Sequence, residues 1–203
     1  MNQKEGSLFI VSGPSGVGKT TAVRTFLNQN KNSFKVDRVV TYTTKQPRRT
    51  EVDGIDYHFI TEDEFKSKVR DQFFLEWSGE YGACYGTPAS IVDDVRSGTS
   101  RILVIDRHGA SQIIAKHPQV VLIWIYVSSL DVLLDRLTKR KTESVEQIQR
   151  RLVLAKKEID KELSFPLYHY HIVNNSLEEA VASLSEVVLA SCLPIEIDLN
   201  KKK

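Results

Sequence analysis

The residues whose types and spacing most plainly imply chemistry are Gly13-Pro14-Ser15-Gly16-Val17-Gly18-Lys19-Thr20, with Thr21 behind them. A glycine, four free positions and then Gly-Lys-Thr is the pattern of a phosphate-binding loop. Gly13, Gly16 and Gly18 let the backbone come close to phosphate oxygens. Amide N–H groups of the loop and of a following helix then face the anion, aided by the helix dipole. Lys19 supplies a cation to the β- and γ-phosphates, and the Thr20 hydroxyl is a ligand for Mg²⁺. The alternative is a glycine-rich turn with an incidental lysine. The flanks argue against it, because Leu8–Val11 reads as a buried strand and Thr20–Asn30 carries Ala22, Val23, Phe26 and Leu27 at helical spacing. Binding of a nucleoside triphosphate follows.

A second set of groups suits a second substrate. Lys45-x-x-Arg48 is followed nine residues later by Tyr57, and then by Tyr85. Two cations and two phenols fit another phosphate. Glu76 ends an aromatic strand, with hydroxyls available at Thr41 and Thr87. A carboxylate accepts from the two adjacent donors on the edge of guanine, and a threonine can donate to its carbonyl. Each residue alone also has a plain structural reading: solvated cations, a surface carboxylate, core tyrosines. Spacing leaves both readings open. The same holds for Arg136 and Arg140, four apart and therefore on one helix face, and for Arg151 on the next helix. They are either an exposed basic face or a set of phosphate ligands.

The elements that must position these groups alternate. Phe34–Thr43 reads as a strand, Tyr57–Ile60 as another, and Thr61-x-x-Glu64 as the capping box of a short helix reaching Val69. Phe73–Trp77 reads as a strand that turns near Gly79 into Tyr81–Tyr85, and Gly86-Thr87-Pro88 opens a helix with Pro88 near its first position. Arg101–Asp106 and Val120–Val127 read as core strands, the latter central, with a helix from Gly109 to Lys116 between them. Ser128 or Ser129 caps the next helix, and Ser144-x-x-Gln147 starts a long one after a break near Lys141. Ile172–Asn174 and a helix from Leu177 to Ser191 close the pattern. Strands alternating with helices around a phosphate loop imply a three-layer α/β fold with a parallel sheet. The divisions that follow are 6–36, 88–128 and 161–193 for the core, 37–87 for a strand-rich insertion, 129–160 for a helical lid and 194–203 for a tail.

A net charge of +2 argues against a nucleic-acid or membrane partner, and the 41% hydrophobic share suffices for one core. Two cysteines, Cys84 and Cys192, make no disulfide framework, and Met1–Gly6 lacks the apolar centre of a signal peptide. These features point to the cytoplasm. Oligomeric state carries no sequence signal. His169 and His171 alternate, but no cysteine or acid cluster completes a zinc site beside them.

Taken in order, the phosphate loop, Thr41-Tyr42-Thr43-Thr44-Lys45-Gln46-Pro47-Arg48, Glu51-x-x-Gly54-x-Asp56-Tyr57-x-Phe59, Phe74-Leu75-Glu76-Trp77, Tyr85-Gly86-Thr87 and Ile105-Asp106-x-x-Gly109-Ala110 resemble guanylate kinase from Leu8 to Asn175. The resemblance implies a nucleoside monophosphate kinase fold, with an insertion that binds GMP or dGMP and a lid over ATP and Mg²⁺. It further implies that Lys45, Arg48, Tyr57 and Tyr85 hold the GMP phosphate, and that Thr41, Glu76 and Thr87 hold the base. Asp106 takes an acidic position between base and metal, where it could serve either and is counted with the GMP-binding residues, and Asn174 a place near the adenine. Arg136, Arg140 and Arg151 would neutralise the transferring phosphate. Departures from the family pattern are Lys45 for arginine, Thr41 for serine, Val104 for an acid, Arg107-His108 for Trp-Gln, and Cys84 for tyrosine. Lysine offers a point charge where arginine makes a bidentate contact, so GMP binding should be weaker than with arginine. Two rival readings are a phosphate-loop kinase for a ribose bisphosphate, and a catalytically silent module that binds a peptide. The guanine-reading pair Glu76 and Thr87 opposes the first, and intact Lys19 and Thr20 oppose the second.

Overall fold

Leu8–Ser12 is buried along its whole length and forms β1, the middle strand of a five-stranded sheet. In this computed structural model, which describes residues 5–31, 35–79, 82–139 and 144–192, the sheet also contains β2 (Val36–Arg38), β7 (Ser100–Val104), β8 (Val121–Tyr126) and β9 (Tyr170–Val173). The order is β2-β7-β1-β8-β9, and every pairing is parallel. Alternate residues of β1 serve opposite faces, as strand geometry requires. Phe9 and Val11 pack with α1 (Lys19–Gln29), α5 (Leu130–Lys139), α6 (Val145–Ser164) and α7 (Leu177–Cys192). Leu8 and Ile10 pack with α3 (Ile91–Arg96) and α4 (Arg107–Lys116). The result is a three-layer α/β fold. No helix among the described residues is long and apolar enough to cross a membrane.

A second sheet runs β4-β3-β6-β5, from β3 (Tyr42–Thr43), β4 (His58–Phe59), β5 (Phe74–Ser78) and β6 (Tyr85–Pro88). Over it lies α2 (Glu62–Arg70), started by the Thr61/Glu64 capping box and packed through Phe65, whose ring stacks on Phe74 at 4.7 Å.

Five sequence expectations need correction. Phe34–Thr43 is not one strand: Val39 N–H still donates to Ile102 in the first sheet, whereas the Thr41 carbonyl already accepts from His58 in the second. The chain changes sheets between them, and Phe34 lies outside the described residues. Gly86-Thr87-Pro88 belongs to β6 and does not open a helix, which begins at Ile91. Pro88 is tolerated because it lies beyond the reach of β3, whose Tyr42 pairs with Gly86. The return strand starts at Tyr85, with residues 82–84 ahead of it outside any strand, and Tyr81 lies outside the described residues. Finally, α4 starts at Arg107, two residues before Gly109, because the Asp106 side chain caps it from the Gly109 amide. The run at Val120–Val127 is an interior strand rather than the centre, which is β1. The break near Lys141 and residues 194–203 lie outside the described residues.

Candidate active site

The phosphate loop joins β1 to α1. Gly13 has φ 145°, and a Cβ there would stand 1.8 Å from the Ile125 carbonyl oxygen, so the loop turns directly against the β8 backbone. Gly18, at φ 96°, is the N-cap of α1 and contributes no side chain to it, and the first turn of α1 holds no acid. Its amides are therefore available to an anion. Lys19 Nζ folds back to donate to the carbonyls of Gly13 at 2.6 Å and Pro14 at 2.9 Å. Burial pulls its pKa down to about 8, with Glu158 and Asp106 acting upward and Arg151 downward. Arg151 and Asp106 thus act on the same ammonium. Thr20 is half-buried and Thr21 exposed in the first turn of α1.

Two side chains brace the loop from behind. Asn174, 2% exposed at the end of β9, donates through Nδ2 to the Val17 carbonyl at 2.7 Å. Arg136 of α5 donates to the same carbonyl at 3.1 Å and to the Asn175 carbonyl at 3.0 Å. Arg140 lies outside the described residues.

Across from Lys19, the second sheet presents a buried polar cluster. Glu76 and Thr41 are buried, and Thr87 is fully so. The Thr87 hydroxyl donates to Glu76 Oε1 at 2.5 Å. Burial drives the Glu76 pKa up to about 7; the Thr87 bond opposes the rise, Asp106 adds to it, and Lys116 opposes it. Asp106 accepts from the Ser78 hydroxyl at 2.8 Å and the Gly109 amide at 2.7 Å. A Cβ on Gly109 would stand 2.5 Å from Glu76 Oε2, so the carboxylate uses the space that this glycine leaves. Ser78 and Gly109 were not singled out from sequence. Ser78 lies two residues after Glu76, hence on the same face of β5, and that alternation is the signal that points to it.

The expected phosphate ligands sit at the edge of this sheet. Lys45 Nζ donates to both carboxylate oxygens of Glu51 at 2.7 Å and lies 4.8 Å from the centre of the Tyr57 ring. Glu51 also accepts from the Arg48 amide, while the Arg48 side chain is exposed. The Tyr57 and Tyr85 rings lie 6.0 Å apart, and burial raises both phenol pKa values. Both phenols are therefore hydrogen-bond donors at neutral pH. Sequence reasoning missed what supports Tyr57. Asp56 is buried, pairs with Arg24 of α1 and accepts from the Val52 amide. Arg38 of β2 donates to the carbonyls of Ile55 and Asp56, each at 2.9 Å.

Among the remaining departures, Arg107 has a structural role. Arg107 pairs with Glu162 and donates to the Phe165 carbonyl, tying α4 to the end of α6. Cys84 is half-buried, its carbonyl accepting from the Thr43 hydroxyl. His171 lies 3.1 Å from Glu162, and His169 Nδ1 accepts from the Leu122 amide. No group of three or more metal-ligating side chains exists among the described residues.

Comparison with known proteins agrees across the chain. The guanylate kinase family model matches residues 5–191. A guanylate kinase from Protochlamydia amoebophila (strain UWE25) is 42% identical over 188 residues, covering 92% of each chain. One from Neisseria gonorrhoeae (strain ATCC 700825 / FA 1090) is 40% identical over 188 residues, covering 92% of this chain and 89% of its own. The crystal structure of guanylate kinase from Anaplasma phagocytophilum superposes with a TM-score of 0.78 at 28% identity, covering 96% of this chain and 90% of that one. The chain belongs to the guanylate kinase family.

Proposed function

We propose that this chain transfers the γ-phosphate of ATP to GMP, and to dGMP, giving ADP and GDP in purine nucleotide recycling. The observation that carries the reading is the position of Asp106. It stands just past the end of β7, whose Val104 pairs with Val11 immediately before the phosphate loop, and it accepts from Ser78 on the Glu76 face of β5, so the two half-sites meet at one residue. In this reading Thr41, Glu76 and Thr87 take the guanine, with Lys45, Arg48, Tyr57 and Tyr85 on its phosphate. The phosphate loop from Gly13 to Thr21 and Asn174 take ATP. Residues 37–87 are the GMP-binding insertion, 129–160 the lid, and the rest the core and tail. Cytoplasmic residence without a nucleic-acid or membrane partner completes the reading, supported by the near-neutral charge and the absence of a disulfide framework.

The acceptor phosphate is largely ionised near neutral pH, its second pKa being about 6, and needs no dedicated base. One of its oxygens forms the new bond to the γ-phosphorus while the β–γ bridging oxygen leaves with ADP. The chain contributes alignment and charge: Lys19 on the transferring group, and Arg136, Arg140 and Arg151 around it. The donors present fit Mg²⁺, which keeps several waters and takes one or two protein oxygens beside substrate phosphates. The Thr20 hydroxyl would hold it, and the ion would supply charge neutralisation on the phosphates.

A coupled kinase assay with ATP, Mg²⁺ and each of GMP, AMP, CMP and UMP tests this. Phosphorylation of GMP alone is expected, with Glu76→Ala reducing kcat/KM for GMP about 10- to 100-fold. In the same assay Lys45→Arg should lower KM for GMP. No turnover of any nucleotide by folded, ATP-binding protein would overturn the reading in favour of another acceptor or a protein partner.

A further inference from the structure

β5 is the outer strand of the second sheet, so the carbonyls on its free edge have no strand to pair with. Two of them are taken by side chains of α4. Gln112 Nε2 donates to the Trp77 carbonyl at 2.8 Å, and Lys116 Nζ donates to the Leu75 carbonyl at 3.1 Å. Leu75 and Trp77 flank Glu76, so the strand is pinned to one helix at the peptide unit before Glu76 and at the one after Trp77. The helix is suited to this by its spacing. Gly109, Gln112 and Lys116 are separated by three and four residues and lie on one face of α4. Along that face Gly109 leaves room for the Glu76 carboxylate, and the next two residues bond the backbone beside it. A cavity of about 350 Å³ lies in the groove between β5 and α4, lined by Glu76, Trp77, Gln112 and Lys116 among others. On its buried side β5 meets α4 through Leu75, which packs with Ala110 and Ile113, and the two hydrogen bonds fix the groove side of the junction.

We propose that Gln112 and Lys116 are positioning residues for GMP recognition, setting the height of Glu76 by holding the carbonyls on either side of it. The inference rests on the reading of Glu76 as the carboxylate that accepts from guanine. It also assigns Lys116 a second effect. The charged groups acting on Glu76 are Asp106, which favours its protonated form, and Lys116, which favours the ionised form; β6 contributes only the neutral Thr87. Removing the ammonium therefore moves Glu76 towards protonation at a given pH.

The test compares the full-length enzyme with Gln112→Met, Lys116→Met, Lys116→Arg and Glu76→Gln. For Gln112→Met and Lys116→Met, KM for GMP should rise about tenfold while kcat and KM for ATP stay within about twofold, the signature of lost ground-state binding. The acid limb of kcat/KM for GMP should move to higher pH in Lys116→Met and not in Gln112→Met. Lys116→Arg should restore both KM and the limb. An unchanged KM for GMP would overturn the inference, as would a parallel rise in both KM values with a lowered unfolding temperature. Glu76→Gln separates the two layers. If it loses GMP selectively while the α4 variants are silent, the inference alone fails. If it leaves the preference for GMP over AMP intact, the reading of Glu76 fails and the inference with it.

Discussion

Glu76 is an uncomfortable place for a charge. Its carboxylate is buried beside Thr87, and burial, with the charge of Asp106 adding to it, pushes its pKa up to about 7 from an ordinary 4.5. Burial thus shifts the balance towards the protonated form, and the donors of a bound guanine would stabilise the ionised one. A carboxyl whose folded pKa is raised contributes stability that is complete below the unfolded pKa and disappears as pH rises through the folded one. The window is therefore from about pH 4.5 to above 7, and the loss is on the order of 3 kcal/mol. Glu76→Gln removes the titration while keeping an acceptor for Thr87. In ligand-free protein it should unfold several degrees above the parent at pH 8 and close to it at pH 5. A shift equal at both pH values would mean that Glu76 is not the titrating group. At this scale the site was legible where roles follow from neighbours in sequence, as in the phosphate loop and the Glu76–Thr87 pair. It was illegible where a role arises from a distant element. Nothing beside Gly109 in the chain announces that Glu76 needs its space, and nothing near Asp56 announces Arg24 and Arg38.

At the level of elements, the phosphate loop depends on structure far along the chain. β9 ends at Val173, and the next residue, Asn174, bonds the Val17 carbonyl beneath the loop, where Arg136 of α5 also bonds. Asn174→Ala should cost about 1–3 kcal/mol, because it leaves a buried carbonyl short of one donor. It should also raise KM for ATP severalfold, leave KM for GMP unchanged, and lower the unfolding temperature. An unchanged KM for ATP would show that Arg136 alone suffices to hold Val17. The elements themselves were legible wherever burial is one-sided or complete: β1, β8 and α5 follow their apolar patterns, and α2 and α6 begin at the capping boxes that mark them. Errors fell where a strand serves two sheets or a breaker sits at a sheet's margin. Val39 and Thr41 differ in sheet but not in periodicity, and Pro88 is read as a helix start because its strand partner, Phe74, is remote in sequence.

In the whole molecule, the two half-sites belong to different sheets joined by few links. Among the described residues these include the crossing between Val39 and Thr41, the grip of Arg24 and Arg38 on the Ile55–Asp56 turn, the Ser78–Asp106 hydrogen bond, and α4 against β5. Lys19 and Thr20 are fixed to the core, whereas Tyr57, Glu76 and Thr87 ride on the second sheet. Phosphoryl transfer needs the reacting oxygens in line at close range and needs water kept out, since ATP would otherwise be hydrolysed. Approach of the second sheet to the core meets both demands. α5 is a poor candidate for large motion, because Leu133 and Leu137 are fully buried in the core and Arg136 is already on the phosphate loop. Closure is therefore expected mainly from the second sheet, with Arg151 of α6 completing the charge around the phosphates. Small-angle scattering should show a smaller radius of gyration with GMP, Mg²⁺ and a non-hydrolysable ATP analogue together than with either nucleotide alone. Indistinguishable profiles would require the half-sites to be at reacting distance already, and alignment would then rest on side chains alone.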